Sequence, residues 1–171
     1  FIGLKLAGWI LEGQPPTEQN FVLVALPHTS NWDFPITLSM AFVFGFDIYW
    51  MGKDSLFKGP MGPIMRWMGG IAIQRSKTNN IVQQTIDAFN ARDRLVVAVP
   101  PEGTRAKVAQ WKTGFYYIAT GAQVPIGMGY LDYPRKTGGF GPTFYPTGDI
   151  DVDMAEMKKF YANIAGKYSD Q

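Results

Sequence analysis

Apolar residues in this chain fall into short unbroken blocks and into stripes at helical spacing, and the two alternate along most of its length. Residues 9–12 and 21–26 are predicted strands, separated by the turn signal Gly13-Gln14-Pro15-Pro16. The second is a continuous apolar run, as an interior strand with both faces covered would be. A helix is predicted over 34–46 and a strand over 48–51. Residues 57–67 carry Gly59, Pro60, Gly62 and Pro63 and read as a loop passing into a short helix, with Ile64, Trp67 and Met68 expected in the core. A strand over 70–73 follows, then a helix capped by Asn79-Asn80 whose positions Ile81, Val82, Ile86 and Phe89 recur at helical spacing. Residues 95–99 form the clearest buried strand. Beyond it lie a helix over 111–120 ended by Gly121 and a strand over 124–131. The Gly/Pro-rich stretch 138–148 is read as irregular, apart from a short extended piece at 143–145. Asp153 and Glu156 resemble a capping box at the start of a last helix bearing Met154, Met157, Phe160, Tyr161, Ile164 and Tyr168. Strand and helix thus alternate, which predicts an α/β fold, and 171 residues fit a single domain over 1–171.

The absence of cysteine excludes disulfides, thiolate metal sites and thiol nucleophiles, leaving a reducing cytoplasm as the default compartment. A net charge of +2 with no block of like charges gives no argument for nucleic acid. Aromatic residues at 15%, eight Met and five Trp against 18% charge exceed what an ordinary soluble domain needs, so part of that surface is expected to face lipid or acyl chains. The strongest apolar run, 34–46, is broken at Gly45 and stops at Asp47, short of the roughly 20 residues of a spanning helix. The chain opens without Met, charged leader or cleavage site, so no signal peptide is expected and room is left for a preceding segment.

His28, the sole histidine, lies in Pro27-His28-Thr29-Ser30-Asn31-Trp32-Asp33, directly after a buried strand. Taken alone it reads equally well as a satisfied loop or core histidine. On a continuous helix His28 and Asp33 would stand roughly 140° apart, and on a strand they would face opposite sides. They meet only if the segment turns, and a strand ending in a tight turn that starts a helix supplies such a turn. Asp33 would then hold one ring nitrogen while the other accepts a proton. No Gly-x-Ser-x-Gly elbow is present, Ser30 is too near His28 to act as its nucleophile, and one histidine without cysteine makes a poor zinc site. Pro100-Pro101-Glu102-Gly103-Thr104-Arg105 again follows a buried strand. It reads as a turn with a surface ion pair, or as ligand-binding residues at the carboxyl end of an interior strand. Gly69-Gly70-Ile71-Ala72-Ile73-Gln74-Arg75 brings a strand out at an arginine, and Arg75, Arg105, Lys53, Lys58 and Lys112 together offer cations for an anionic headgroup.

His28 and Asp33, with Glu102-Gly103-Thr104-Arg105 about seventy residues later, resemble the first and third motifs of the glycerolipid acyltransferase family, which includes lysophosphatidate acyltransferase. Gly69 through Arg75 is similar to the second motif, Val124-Pro125-Ile126 to the fourth, and Lys53-Asp54-Ser55-Leu56-Phe57 to a stretch between the first two. The resemblance covers residues 9–131. Pro27, Ala72 and Ala106 depart from the residues common at their positions and leave the acceptor open. The resemblance implies an α/β fold with a mixed sheet flanked by helices, like glycerol-3-phosphate acyltransferase. It implies transfer of a fatty acyl group from acyl-CoA or acyl carrier protein to a lysophospholipid or glycerophosphate hydroxyl, lysophosphatidate foremost. His28, oriented by Asp33, would be the base. Arg75, Arg105 and Lys53 would meet anionic groups, and Glu102, Gly103 and Thr104 would position the acceptor. No cofactor beyond the acyl donor, no metal and no nucleic acid are implied, and the enzyme would work at the cytoplasmic face of a membrane, peripherally or anchored by a preceding N-terminal segment. A thioester hydrolase using water, and a catalytically silent lipid-binding module of the same fold, are the competing readings.

Overall fold

The computed structural model describes Leu4 and residues 7–73, 78–103 and 110–168. In chain order the elements are β1 (Ile10–Glu12), β2 (Asn20–Leu26), α1 (Asp33–Phe44), β3 (Ile48–Lys53), a 3-10 turn (Asp54–Phe57), α2 (Met61–Trp67), β4 (Gly70–Ile73), α3 (Thr78–Asn90), β5 (Leu95–Ala98), α4 (Gly114–Ala122), β6 (Ile126–Asp132), β7 (Thr137–Phe144) and α5 (Ile150–Tyr161). The seven strands make one sheet in the order β1-β7-β6-β2-β5-β3-β4. Neighbours are parallel except β6 and β7, so β2 to β6 run one way and β1 and β7 the other. The mixed α/β sheet expected from the sequence is present.

β2 occupies the centre, and its period-two alternation distributes its side chains between two cores. Val22, Val24 and Leu26 face Leu95 and Val97 of β5, Phe115 and Ile118 of α4, and Met157 of α5. Phe21 and Leu23 face the opposite side, with Val96, Ala41 of α1 and Phe140 of β7. Because helices cover both faces, every other residue can be apolar without exposure, which explains the unbroken run. Full burial of each such side chain contributes roughly 2 kcal/mol.

Five elements depart from the sequence reading. The Gly-rich stretch expected to be mostly irregular is the eight-residue strand β7. Its glycines mark close approaches: a Cβ at Gly138 would run into Met40, one at Gly139 into the backbone of Glu12, and one at Gly141 into the Phe160 ring. Helix α5 starts at Ile150, with Asp149 as the cap accepting the Val152 amide at 3.2 Å, and ends before Ile164 and Tyr168. Asp153 is fully buried and accepts from Tyr116 Oη at 2.8 Å, the Thr147 amide at 2.7 Å and Thr147 Oγ1 at 2.8 Å, tying α5 to α4. Gly121 lies inside α4, which Gln123 terminates in the left-handed conformation, and Asn79 and Asn80 fall within the first turn of α3. On α2 the inward residue is Gly62, lying against Phe57, whereas Ile64 and Trp67 point outward at 47% and 86% exposure. Ile64 and Trp67, expected in the core, are therefore on the surface, because a glycine already makes the close contact with the 3-10 turn, while Met68 just past the helix is half-buried.

Replacing Asp153 by Ala would strand the Tyr116 hydroxyl and the Thr147 donors beside a dry helix interface, at a cost of about 3 kcal/mol. Urea unfolding should show that loss with an unchanged m value, while Val152→Ala, at an exposed position, stays within about 0.5 kcal/mol of the parent. Equal midpoints for the two variants would contradict this role for Asp153.

Candidate active site

The parallel direction of β2, β3, β4, β5 and β6 sends all their carboxyl ends to one edge of the sheet, where open α/β folds place ligands. At that edge β2 ends at Leu26, the Leu26–Pro27 peptide is cis, and α1 begins at Asp33. The intervening turn lets Asp33, 4% exposed, point back at the residues before it. Its Oδ2 accepts the backbone amides of Thr29 at 2.8 Å and Ser30 at 2.7 Å, and lies 3.3 Å from His28 Nδ1. Its Oδ1 accepts the Tyr133 hydroxyl at 2.6 Å. The turn anticipated from the spacing of His28 and Asp33 is thus the structure that brings them together.

Burial by itself would push the Asp33 carboxyl up, but hydrogen bonds from His28, Tyr133, Ser30 and Thr29 outweigh it and hold the group below the ordinary carboxylate range. Asp33 is therefore an anion at neutral pH. An anion beside Nδ1 selects the tautomer with its proton on Nδ1, which leaves Nε2 with a lone pair. The His28 side chain, 28% exposed, lines a cavity of about 230 Å³ between α1 and the sheet. Apart from His28, Asp33 and Thr37 its walls are apolar, with Phe34, Leu38, Trp50 and Leu131 among them. The arrangement can remove a proton from a hydroxyl at the mouth of an apolar chamber.

Glu102 leaves the end of β5, next to β2 in the sheet, and its Oε2 accepts the His28 backbone amide at 2.9 Å. Burial pushes its carboxyl above the ordinary range, with the His28 amide opposing that shift. The residue expected to position an acceptor thus fixes the loop that carries His28. Gly103 adopts φ +62°, and the Lys112 side chain passes so close that a Cβ at this position would meet it. Lys53, the last residue of β3, is exposed at the same edge but does not line the cavity, and Lys58 is paired with Asp54 at 2.7 Å. Arg75, Thr104 and Arg105 lie outside the described residues.

Sequence reasoning missed Tyr133 and the segment after α5. The Lys167 amide donates to Thr29 Oγ1 at 2.9 Å, and the Tyr133 amide donates to the Ala165 carbonyl at 3.0 Å. A signal for Tyr133 existed: it directly follows β6, at the ligand-bearing edge of a fully buried strand.

Residues 11–127 match the model of the family described as Acyltransferase. The chain is 39% identical over 110 residues to human 1-acyl-sn-glycerol-3-phosphate acyltransferase beta, an alignment covering 61% of this chain and 39% of the human protein. It thus spans about two fifths of that relative's length. Its fold is similar to that in the crystal structure of the 1-acyl-sn-glycerophosphate (LPA) acyltransferase PlsC from Thermotoga maritima, with TM-score 0.60, 19% identity, and coverage of 96% of this chain and 78% of that one. His28, Asp33 and Glu102 all fall within the matched span, and with two thirds of its length so matched the chain belongs to the acyltransferase family.

Proposed function

We propose that this chain transfers an acyl group from a thioester donor, acyl-CoA or acyl carrier protein, to the free hydroxyl of a 1-acylglycerol phosphate. The observation that carries the reading is the His28–Asp33 pair, whose Nε2 has no hydrogen-bond partner among the described residues, at the mouth of an apolar cavity. His28 Nε2 takes the proton as the hydroxyl oxygen attacks the thioester carbonyl carbon. The carbon–sulfur bond then breaks, and the leaving thiolate receives the proton held on the imidazole. Asp33 remains ionised throughout, fixing the tautomer and stabilising the transient imidazolium. The apolar cavity suits the acyl portion, and the 39% identity over 110 residues to a human 1-acyl-sn-glycerol-3-phosphate acyltransferase supports a lysophosphatidate acceptor. Lys53 and Lys112, with Arg75 and Arg105, are assigned to the anionic groups of donor and acceptor.

The outward residues of α2 support a lipid surface as the place where substrates are collected. Met61, Ile64 and Trp67 form one exposed stripe, and Phe42 of α1 is 82% exposed nearby across the groove that it lines with Trp67. No helix among the described residues is long and apolar enough to cross a membrane.

Thiol release from acyl-CoA measures the reaction directly, since the cysteine-free chain adds no background. Release should depend on lysophosphatidate, and His28→Ala should lower kcat by roughly 10²- to 10⁴-fold with the fold intact by circular dichroism. Release without an acceptor would establish a hydrolase instead, and an active His28→Ala enzyme would exclude His28 as the base.

Ionised Asp33 contributes stability that is fully present above its unfolded-state pKa, near 3.9, and is lost as pH falls through its lower folded-state value. Asp33→Asn should therefore destabilise the chain at pH 7, and its difference from the parent should shrink progressively as pH falls below about 4, as read by thermal unfolding. A difference that does not change with pH would show that charge is not what Asp33 supplies.

For the lipid surface, an Ile64→Ser, Trp67→Ser double variant should co-sediment with vesicles containing phosphatidic acid at least about threefold less than the parent. Equal sedimentation would remove α2 from the membrane contact.

A further inference from the structure

We propose that Tyr133 is a positioning residue of this site, its hydroxyl holding Oδ1 of Asp33 so that the carboxylate orients His28 without drawing a proton onto it. The inference rests on the reading of His28 and Asp33 given above and extends the site beyond residue 127, where the family match stops. Asp33 and Tyr133 are 100 residues apart in sequence, and their 2.6 Å hydrogen bond is the shortest at the carboxylate. The His28 contact, at 3.3 Å, is long for a charge-assisted bond, which ordinarily falls near 2.7–2.9 Å. The donors on Asp33 are thus unequal: two amides and one hydroxyl bind it closely, and the imidazole loosely.

This inequality has a chemical meaning. A buried carboxylate whose lone pairs were open to the imidazole would shorten that contact and favour the imidazolium, which cannot accept a substrate proton. With Oδ2 held by the Thr29 and Ser30 amides and Oδ1 by Tyr133, the carboxylate cannot rotate toward Nδ1. Tyr133 is suited to the task because it is itself fixed. Its amide donates to Ala165, its carbonyl accepts the Lys136 amide at 3.1 Å, and its ring meets the edge of Trp9 at 5.2 Å between centroids. Burial raises its hydroxyl pKa well above the ordinary tyrosine value, so it stays a neutral donor throughout the working range.

Among the described residues the other titratable groups near the pair or Tyr133 are Glu102 from the β5 side, whose Oε2 accepts the His28 amide, and Tyr168 from the segment after α5, whose neighbour Lys167 lies over the Trp32 and Tyr168 rings. Among the described residues none of them donates to Oδ1, and Lys167 stands 5.6 Å from the Trp32 ring.

His28 is the sole histidine, so its ring gives a single imidazole signal in NMR. Titrating that signal in the parent, in Tyr133→Phe and in Tyr168→Phe tests the inference without reference to activity. Tyr133→Phe keeps the ring against Trp9 and should fold as the parent does. Its imidazole midpoint should move up by about half a pH unit or more, while Tyr168→Phe titrates with the parent. In the thiol-release assay the acidic limb of kcat/KM should move in the same direction, with kcat at pH 7 lowered about two- to threefold and KM for the acceptor within about twofold. A Tyr133→Phe titration superimposed on that of the parent would overturn the positioning role, as would a loss of kcat that is uniform with pH and tracks lower thermal stability. Failure of the catalytic reading appears separately, as an active His28→Ala enzyme, and leaves the imidazole titration to decide the role of Tyr133.

Discussion

A carboxylate that is 4% exposed and has no lysine or arginine in hydrogen-bond contact among the described residues must be satisfied by dipoles, and Asp33 sets that requirement for the whole edge of the sheet. Two of its donors are backbone amides, available only when residues 29–30 turn in one way, so loop shape and ionised carboxylate require each other. The same turn lays the His28 ring against Oδ2 and presents the His28 amide to Glu102. The His28–Asp33 geometry and the loop conformation are therefore one structure, held by a buried charge in place of an apolar core.

Much of this was legible in the sequence because the two central strands are unbroken apolar runs that end abruptly in polar residues. Residues 21–26 and 95–99 could hardly be anything but interior strands, and His28 and Glu102 had to emerge at their ends. The angular mismatch between His28 and Asp33 excluded a continuous helix or strand and so required the turn that is found. What could not be read was the destination of each lone pair. Glu102 reaches a backbone amide, which no side-chain pattern records, and Tyr133 reaches Asp33 across 100 residues of sequence.

The failures share a cause with β7. Glycine ordinarily signals a loop, because backbone freedom is what it supplies. In β7 the glycines are selected for the absent Cβ, to let Met40, Glu12 and Phe160 approach, and that need is set by tertiary neighbours. The exposed stripe on α2 is the same effect reversed: Gly62 makes the inward contact, so the periodic apolar residues are left outside.

The strand order also decides how firmly each group is held. β6, β2 and β5 are consecutive in the sheet, so their carboxyl ends lie about 4.8 Å apart from strand to strand, and residues leaving them converge without any long loop. Their next connections differ. After β2 and β5 the chain crosses to a helix, whereas after β6 it turns back at once into the antiparallel β7. In that return Asp132 accepts Arg135 Nε at 2.7 Å and Tyr133 accepts the Lys136 amide, so the turn is closed on itself. A hydroxyl carried on a tight return between two paired strands is less free to move than a side chain on a crossover loop. The one antiparallel pair in the sheet thus supplies a firmly held donor to Asp33, and the mixed topology is part of how the His28–Asp33 pair is held.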